Sequence, residues 1–299
     1  MRTHTWLLAS VGFTLFFAPR PVASQEAPAS GIPSWEKLSA AYKYEIKAAT
    51  VKEEAKQDAD HFLQRLALTS ASGETVPALF RRPKTDGIYP CVLLLHGLGS
   101  KKEDMSSMFG RALADKGIAS LALDAPDHGE RKPAGAQPPA QNPMRFLQVM
   151  RGGITDYRIA VDYLKTRKDV DSARIGLLGY SMGAMMGSIL SGVDDRVKAT
   201  VLCVGGDVVR SFADRIPPAF REQAETVAPS NFVGHISPRP VLMINGKQDQ
   251  LVNEVAAKAL HDAAKDPKEI IWADAGHMLP PAIAAKGIDW LVVKLAKKP

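Results

Sequence analysis

The sequence predicts an α/β domain built on a mostly parallel sheet with helices on both faces. From residue 90 onward, short runs apolar on both faces, such as Cys91 to Leu95 and Val197 to Val204, alternate with amphipathic stretches. That alternation marks buried parallel strands joined by crossover helices. In addition, 299 residues with a hydrophobic fraction of 45% are enough for one large core.

The elements follow in chain order. Arg2, the apolar run Trp6 to Ala18 and the small residues Val22-Ala23-Ser24 form a secretory-type leader over residues 1–24. An exported, periplasmic or extracellular protein is expected, with no stable membrane insertion after processing. A Pro/Ala/Ser-rich tether comes next. Trp35, Leu38, Tyr42 and Ile46 then recur at helical spacing and predict a helix over 34–58, with Ser34 as its N-cap. Tether and helix together occupy 25–61, ahead of a catalytic domain over 62–299. Phe62 to Thr69 and Val76 to Phe80 flank the turn Ser72-Gly73 and predict an edge hairpin. Further strands are expected at Cys91 to Leu95, Ile118 to Leu123, Ile175 to Leu178, Val197 to Val204, Val241 to Ile244 and Glu269 to Trp272. Helices are expected at Met105 to Lys116, around Ile154 to Leu164, and at Met182 to Leu190, Val252 to Ala264 and Ala282 to Ala296. Two proline-bearing stretches, 131–150 and 207–236, interrupt the alternation. Both follow strands on the side where open α/β sheets hold ligands.

Composition narrows the function classes. The net charge is +6, but Lys and Arg are scattered rather than clustered, which describes a solvated surface and not a nucleic-acid or membrane patch. Cys91 and Cys203 sit inside apolar runs and are expected as buried free thiols. Gly97-Leu98-Gly99-Ser100-Lys101 lacks phosphate-loop spacing, and no G-x-G-x-x-G follows a strand, so no nucleotide cofactor is expected. Asp124, Asp127 and His128 lie in one turn without a partner cluster and are expected to brace a loop, not to bind metal.

The chemistry centres on Gly179-Tyr180-Ser181-Met182-Gly183, a G-x-S-x-G between an expected strand and an expected helix. In that setting a sharp turn presents the Ser181 hydroxyl at a helix N-terminus, and the two glycines remove side chains that would meet backbone. A serine hydroxyl needs a base, and His277, in Ala275-Gly276-His277 after the last strand, is placed to reach it. His61, His235 and His261 stand in no motif and are expected on the surface. The base needs an acid to fix its tautomer. Asp249, after the strand Val241 to Ile244, fills that role, with Asp207 as the second candidate. Two N–H donors must meet the developing oxyanion. Met182, following the nucleophile, supplies one, and Leu98, in the loop His96-Gly97-Leu98-Gly99, supplies the other. His96 itself is expected to be a structural hydrogen-bonder.

Together these motifs resemble the dienelactone-hydrolase and acetyl-xylan-esterase-like branch of the α/β-hydrolases, over roughly residues 62–298. The resemblance rests on the His96–Gly99 loop, on Asp124-Ala125-Pro126-Asp127-His128-Gly129-Glu130-Arg131, on the Gly179–Gly183 elbow, on Arg239-Pro240 with Asn245-Gly246 and Asp249, and on Gly276-His277. It implies an eight-stranded α/β-hydrolase sheet and cofactor-free ester hydrolysis through an acyl-enzyme. Dienelactone hydrolases use cysteine where this chain has Ser181, which favours esterase chemistry over lactone ring-opening; the complete triad with two modest insertions instead of a large lid points to short-chain or acetyl esters. Two other readings fit the same scaffold: a prolyl-oligopeptidase-like peptidase, for which about 60 residues ahead of the fold leave no room for a propeller, and a non-catalytic binding protein.

Overall fold

The computed structural model describes residues 31–45, 52–56, 58–135, 142–210 and 216–296. The leader and most of the tether lie outside the described residues. One nine-stranded sheet organises the rest, in the order β1-β2-β3-β5-β4-β6-β7-β8-β9. The strands are β1 (Lys52–Lys56), β2 (His61–Thr69), β3 (Thr75–Pro83), β4 (Tyr89–Leu95), β5 (Ala119–Leu123), β6 (Val170–Tyr180), β7 (Val197–Cys203), β8 (Val241–Gly246) and β9 (Lys268–Ala273). Strands β1 to β3 pair antiparallel, and β3 joins β5 antiparallel. Strands β4 to β9 are mutually parallel. This is the α/β-hydrolase architecture, with one strand more than the resemblance implies.

The added strand corrects the expected helix over 34–58. Only α1 (Trp35–Ala40) is helical, capped by Ser34, and β1 follows within the same segment; residues 46–51 lie outside the described residues. The helical spacing was a true signal of docking: Leu38 and Tyr42 are buried. The Tyr42 hydroxyl donates to the Thr226 carbonyl and Arg158 donates to the Tyr42 carbonyl, anchors that take the chain out of the helix. Strand β1 reads Lys-Glu-Glu-Ala-Lys, with no apolar alternation. It is held by its backbone ladder to β2, and its charges suit an edge that must not recruit another strand.

The remaining helices are α2 (Lys102–Met105), α3 (Arg111–Asp115), which a π-turn at Ser106–Gly110 joins to α2, α4 (Pro143–Thr166), α5 (Met182–Val193), α6 (Arg221–Glu225), α7 (Glu254–Ala263) and α8 (Pro281–Leu295). Alternation along β4 sorts them into two layers. Cys91, Leu93 and Leu95 join the core formed with α4 and α5, whereas Val92 and Leu94 join the core formed with α2, α3 and α8. Cys91 and Cys203 therefore lie in separate cores, as buried free thiols. Helix α4 begins well before Ile154, so part of 131–150 is helical. The 207–236 stretch carries only α6 and short 3-10 turns among its described residues.

Candidate active site

Ser181 stands between β6 and α5 with φ 55° and ψ −117°. The flanking glycines make this turn possible. A Cβ on Gly179 would lie 2.2 Å from the Gly183 carbonyl oxygen, and one on Gly183 would lie 2.0 Å from that of Leu95. The Ser181 N–H donates to the Cys203 carbonyl at 2.9 Å, and its own carbonyl accepts from Ala184 and Met185, which starts α5. The hydroxyl thus sits where unpaired helix N–H groups favour negative charge.

His277 follows β9, and its Nε2 lies 2.9 Å from Ser181 Oγ. Its Nδ1 lies 2.8 Å from Asp249 Oδ2. Asp249, after β8, is buried, and its Oδ1 accepts the Leu251 and Val252 N–H groups at 2.8 and 2.9 Å. Those two donors keep the carboxylate oriented as an acceptor, so Nδ1 carries the imidazole proton and Nε2 is free to accept from serine. The Asp249 and His277 loops are also laced together: Lys247 N–H donates to Ala273 and Gln248 N–H to Ala275. Asp207, the second acid candidate, is buried but pairs with Arg210 at 3.1 Å and not with His277.

The loop carrying Leu98 lies against the nucleophile. A Cβ on Gly97 would be 3.4 Å from Ser181 Cβ and 3.4 Å from the Tyr180 carbonyl oxygen. Met182 opens α5 directly after the nucleophile. His96 fixes this loop: Nδ1–H donates to the Gly97 carbonyl at 2.8 Å, and Nε2 accepts the Ala125 N–H at 3.0 Å. Burial lowers its pKa to about 4, so it stays neutral and serves as a brace.

The Asp124–Arg131 segment is held by ion pairs. Buried Lys102 places Nζ 2.7 Å from Asp124 Oδ2 and 2.6 Å from Glu130 Oε1. Asp127 binds the Arg145 guanidinium through both oxygens, and His128 Nδ1 donates to the Pro126 carbonyl. Lys102 carries no sign of this role in the sequence, because it sits in a charged run that looks solvent-facing. His61 departs from its expected surface position. It is buried, 2.8 Å from Asp115 Oδ1 and 3.3 Å from Arg81. His235 is exposed and stacks on Trp35. Tyr180, the unassigned second residue of the pentapeptide, places its hydroxyl 2.9 Å from the His277 carbonyl oxygen and 2.9 Å from the Leu279 nitrogen. Among the described residues no group of three or more His, Cys, Asp or Glu could hold a metal ion, and no helix is long and apolar enough to cross a membrane.

Comparison with known proteins places the chain in a family. The sequence model described as "Esterase FrsA-like" matches residues 29–217. YtaP of Bacillus subtilis (strain 168) is 27% identical over 280 residues, covering 82% of this chain and 92% of YtaP. Esterase YjfP of Escherichia coli (strain K12) is 28% identical over 193 residues, 59% of this chain and 76% of YjfP. Among solved structures, acetyl xylan esterase 1 from Thermoanaerobacterium sp. JW/SL YS485 superposes with a TM-score of 0.71 at 18% identity, covering 88% of this chain and 92% of that one.

Proposed function

The chain belongs to the FrsA-like esterase family and is a hydrolase of ester bonds, and we propose that it works through Ser181, His277 and Asp249 on short-chain or acetyl esters. The reading rests on the unbroken hydrogen-bonded path from Ser181 Oγ through His277 to Asp249. In it, His277 Nε2 takes the hydroxyl proton as Ser181 attacks the ester carbonyl. The tetrahedral oxyanion is met by the backbone N–H groups of Leu98 and Met182. The protonated imidazole, stabilised by Asp249, returns the proton to the leaving alcohol. Water then repeats the cycle on the acyl-enzyme.

The short-acyl clause is supported by the modest size of the segments that interrupt the strand–helix alternation. The described part of 207–236 carries only the five-residue α6 and 3-10 turns, too little for a broad lid. The related fold of an acetyl xylan esterase is consistent with a small acyl group. Export belongs to the same proposal and rests on the composition of residues 1–24.

Three measurements test it. Ser181→Ala should lower kcat by about 10⁴-fold or more with an unchanged melting profile, and retained turnover sinks the mechanism. A p-nitrophenyl acetate-to-palmitate series should peak at the short end, and activity rising toward palmitate removes the short-acyl clause. A peptide amide cleaved faster than an ester would restore the peptidase reading.

A further inference from the structure

The geometry points to Tyr180 as a positioning residue that sets where His277 stands relative to Ser181, an inference that rests on the proposed roles of those two residues. Three observations carry it. First, the Tyr180 hydroxyl is inserted into the backbone of the base-bearing loop. It donates to the His277 carbonyl and accepts the Leu279 N–H, both at 2.9 Å. Second, Tyr180 and Ser181 are adjacent, so His277 is gripped twice by one dipeptide, through its ring by Ser181 Oγ and through its carbonyl by Tyr180 Oη. Third, the phenol ring is itself held. Its centroid is 6.4 Å from that of Phe109 on one side, and it meets the His277 ring edge-on at 6.3 Å and 83°.

The loop needs such a hold. Its backbone is tied to the Asp249 loop only as far as Ala275, through the Lys247 and Gln248 N–H groups. The next backbone bond is that of Ile283 and Ala284 to Pro280, at the start of α8. Between them lie Gly276, His277, the exposed Met278 and the buried Leu279. Asp249 and Ser181 restrain the imidazole at its two nitrogens, but neither bond fixes the backbone that carries the ring. The phenol fixes the backbone from which the ring hangs. Burial pushes its pKa up to about 12, so the hydroxyl keeps its proton through neutral and mildly alkaline pH. A displacement of about 1 Å between reacting groups costs on the order of 10²-fold in rate, and this sets the scale of what the clamp protects.

The test is Tyr180→Phe, assayed with p-nitrophenyl acetate beside Ser181→Ala and His277→Ala. The clamp predicts kcat lowered by about 10- to 100-fold with KM changed by less than about threefold. It also predicts that Tyr180→Phe has no further effect in a His277→Ala background, because Tyr180 acts only through the imidazole. A general structural defect would lower both backgrounds alike. Wild-type protein supplies an independent measurement should the variant not fold: the Leu279 amide, held by the phenol, should exchange its hydrogen much more slowly than Met278 next to it. Three results overturn the clamp: a Tyr180→Phe kcat within twofold of wild type, an equal loss in the His277→Ala background, or unprotected exchange at Leu279. The underlying mechanism fails separately, if Ser181→Ala or His277→Ala retains turnover.

Discussion

Asp249→Asn is the sharpest test of how the site is wired, because the structure dictates which way the new amide must face. Asp249 Oδ1 accepts two backbone N–H groups, from Leu251 at 2.8 Å and Val252 at 2.9 Å, while Oδ2 faces His277 Nδ1 at 2.8 Å. Asparagine has the same shape but one acceptor oxygen. If that oxygen stays with the two N–H groups, the NH₂ points at His277 Nδ1, which must then present a lone pair. The imidazole proton moves to Nε2, where it blocks uptake of the Ser181 proton. Turning the amide over would set NH₂ against two N–H donors. Two orphaned donors at about 1–3 kcal/mol each make the productive orientation about 2–6 kcal/mol less favourable. At 1.36 kcal/mol per decade this is a loss of between about 30-fold and about 3 × 10⁴-fold. We expect kcat for p-nitrophenyl acetate to fall about 10³-fold with the fold intact by circular dichroism. Asp207 offers no rescue, since its carboxylate is engaged by Arg210 and makes no contact with His277; Asp207→Asn should stay within about twofold of wild type. An Asp249→Asn enzyme retaining more than about one-tenth of wild-type kcat, or a larger loss in Asp207→Asn, refutes this wiring.

The other expectations concern the scaffold. Gly183→Ala puts a methyl 2.0 Å from the Leu95 carbonyl oxygen, backbone that has nowhere to move; thermal unfolding should show a loss of about 3 kcal/mol or more. His96 is buried and its pKa is lowered to about 4, against about 6.5 in an unfolded chain. Between those values the unfolded state binds more protons than the native one, so stability falls as pH drops from about 6.5 to about 4. The contribution is on the order of 3 kcal/mol. Urea titrations across that window should show a steeper acid-side loss in wild type than in His96→Asn, and equal slopes would contradict the neutral-brace role.

Legibility in the sequence followed the range over which each constraint acts. The elbow was readable because its constraint is local: Gly179, Ser181 and Gly183 must share one turn, and the collisions that demand glycine come from within that turn and from the neighbouring strand end. The buried strands were readable because two-sided burial leaves an apolar run that no helix pattern matches. Strand β1 was not, because it lacks apolar alternation and is held by main-chain pairing with β2 and by Glu53 accepting from Gln64 and Tyr163, partners on other elements that leave no local signature. Lys102 and Tyr180 were missed for a related reason. Each works through a partner distant in sequence, Lys102 through Asp124 and Tyr180 through Leu279, and neither position carries a local demand for its residue type. His61 was misplaced because Arg81 and Asp115, which make its burial tolerable, come from other elements.

Backbone conformation singles out the same edge of the sheet without reference to residue chemistry. Among the described residues, three non-glycine positions have positive φ: Asp127 at 61°, Ser181 at 55° and Val204 at 47°. All follow parallel strands at their C-terminal ends, after β5, β6 and β7 respectively. Such conformations cost on the order of 1–3 kcal/mol each and persist only where their surroundings over-determine them. Here they are over-determined. The Val204 N–H donates to the Ile244 carbonyl at 2.7 Å and its side chain is fully buried. The Ser181 N–H is bound by Cys203, the last residue of the neighbouring strand. Asp127 is gripped through both carboxylate oxygens by Arg145 from α4. The strain is therefore borne by hydrogen bonds and packing at the C-terminal ends of β5, β6 and β7, of which the Ser181 turn is one. Looser packing there would let Ser181 relax toward ordinary helix-entry geometry, and its oxygen would leave the reach of His277.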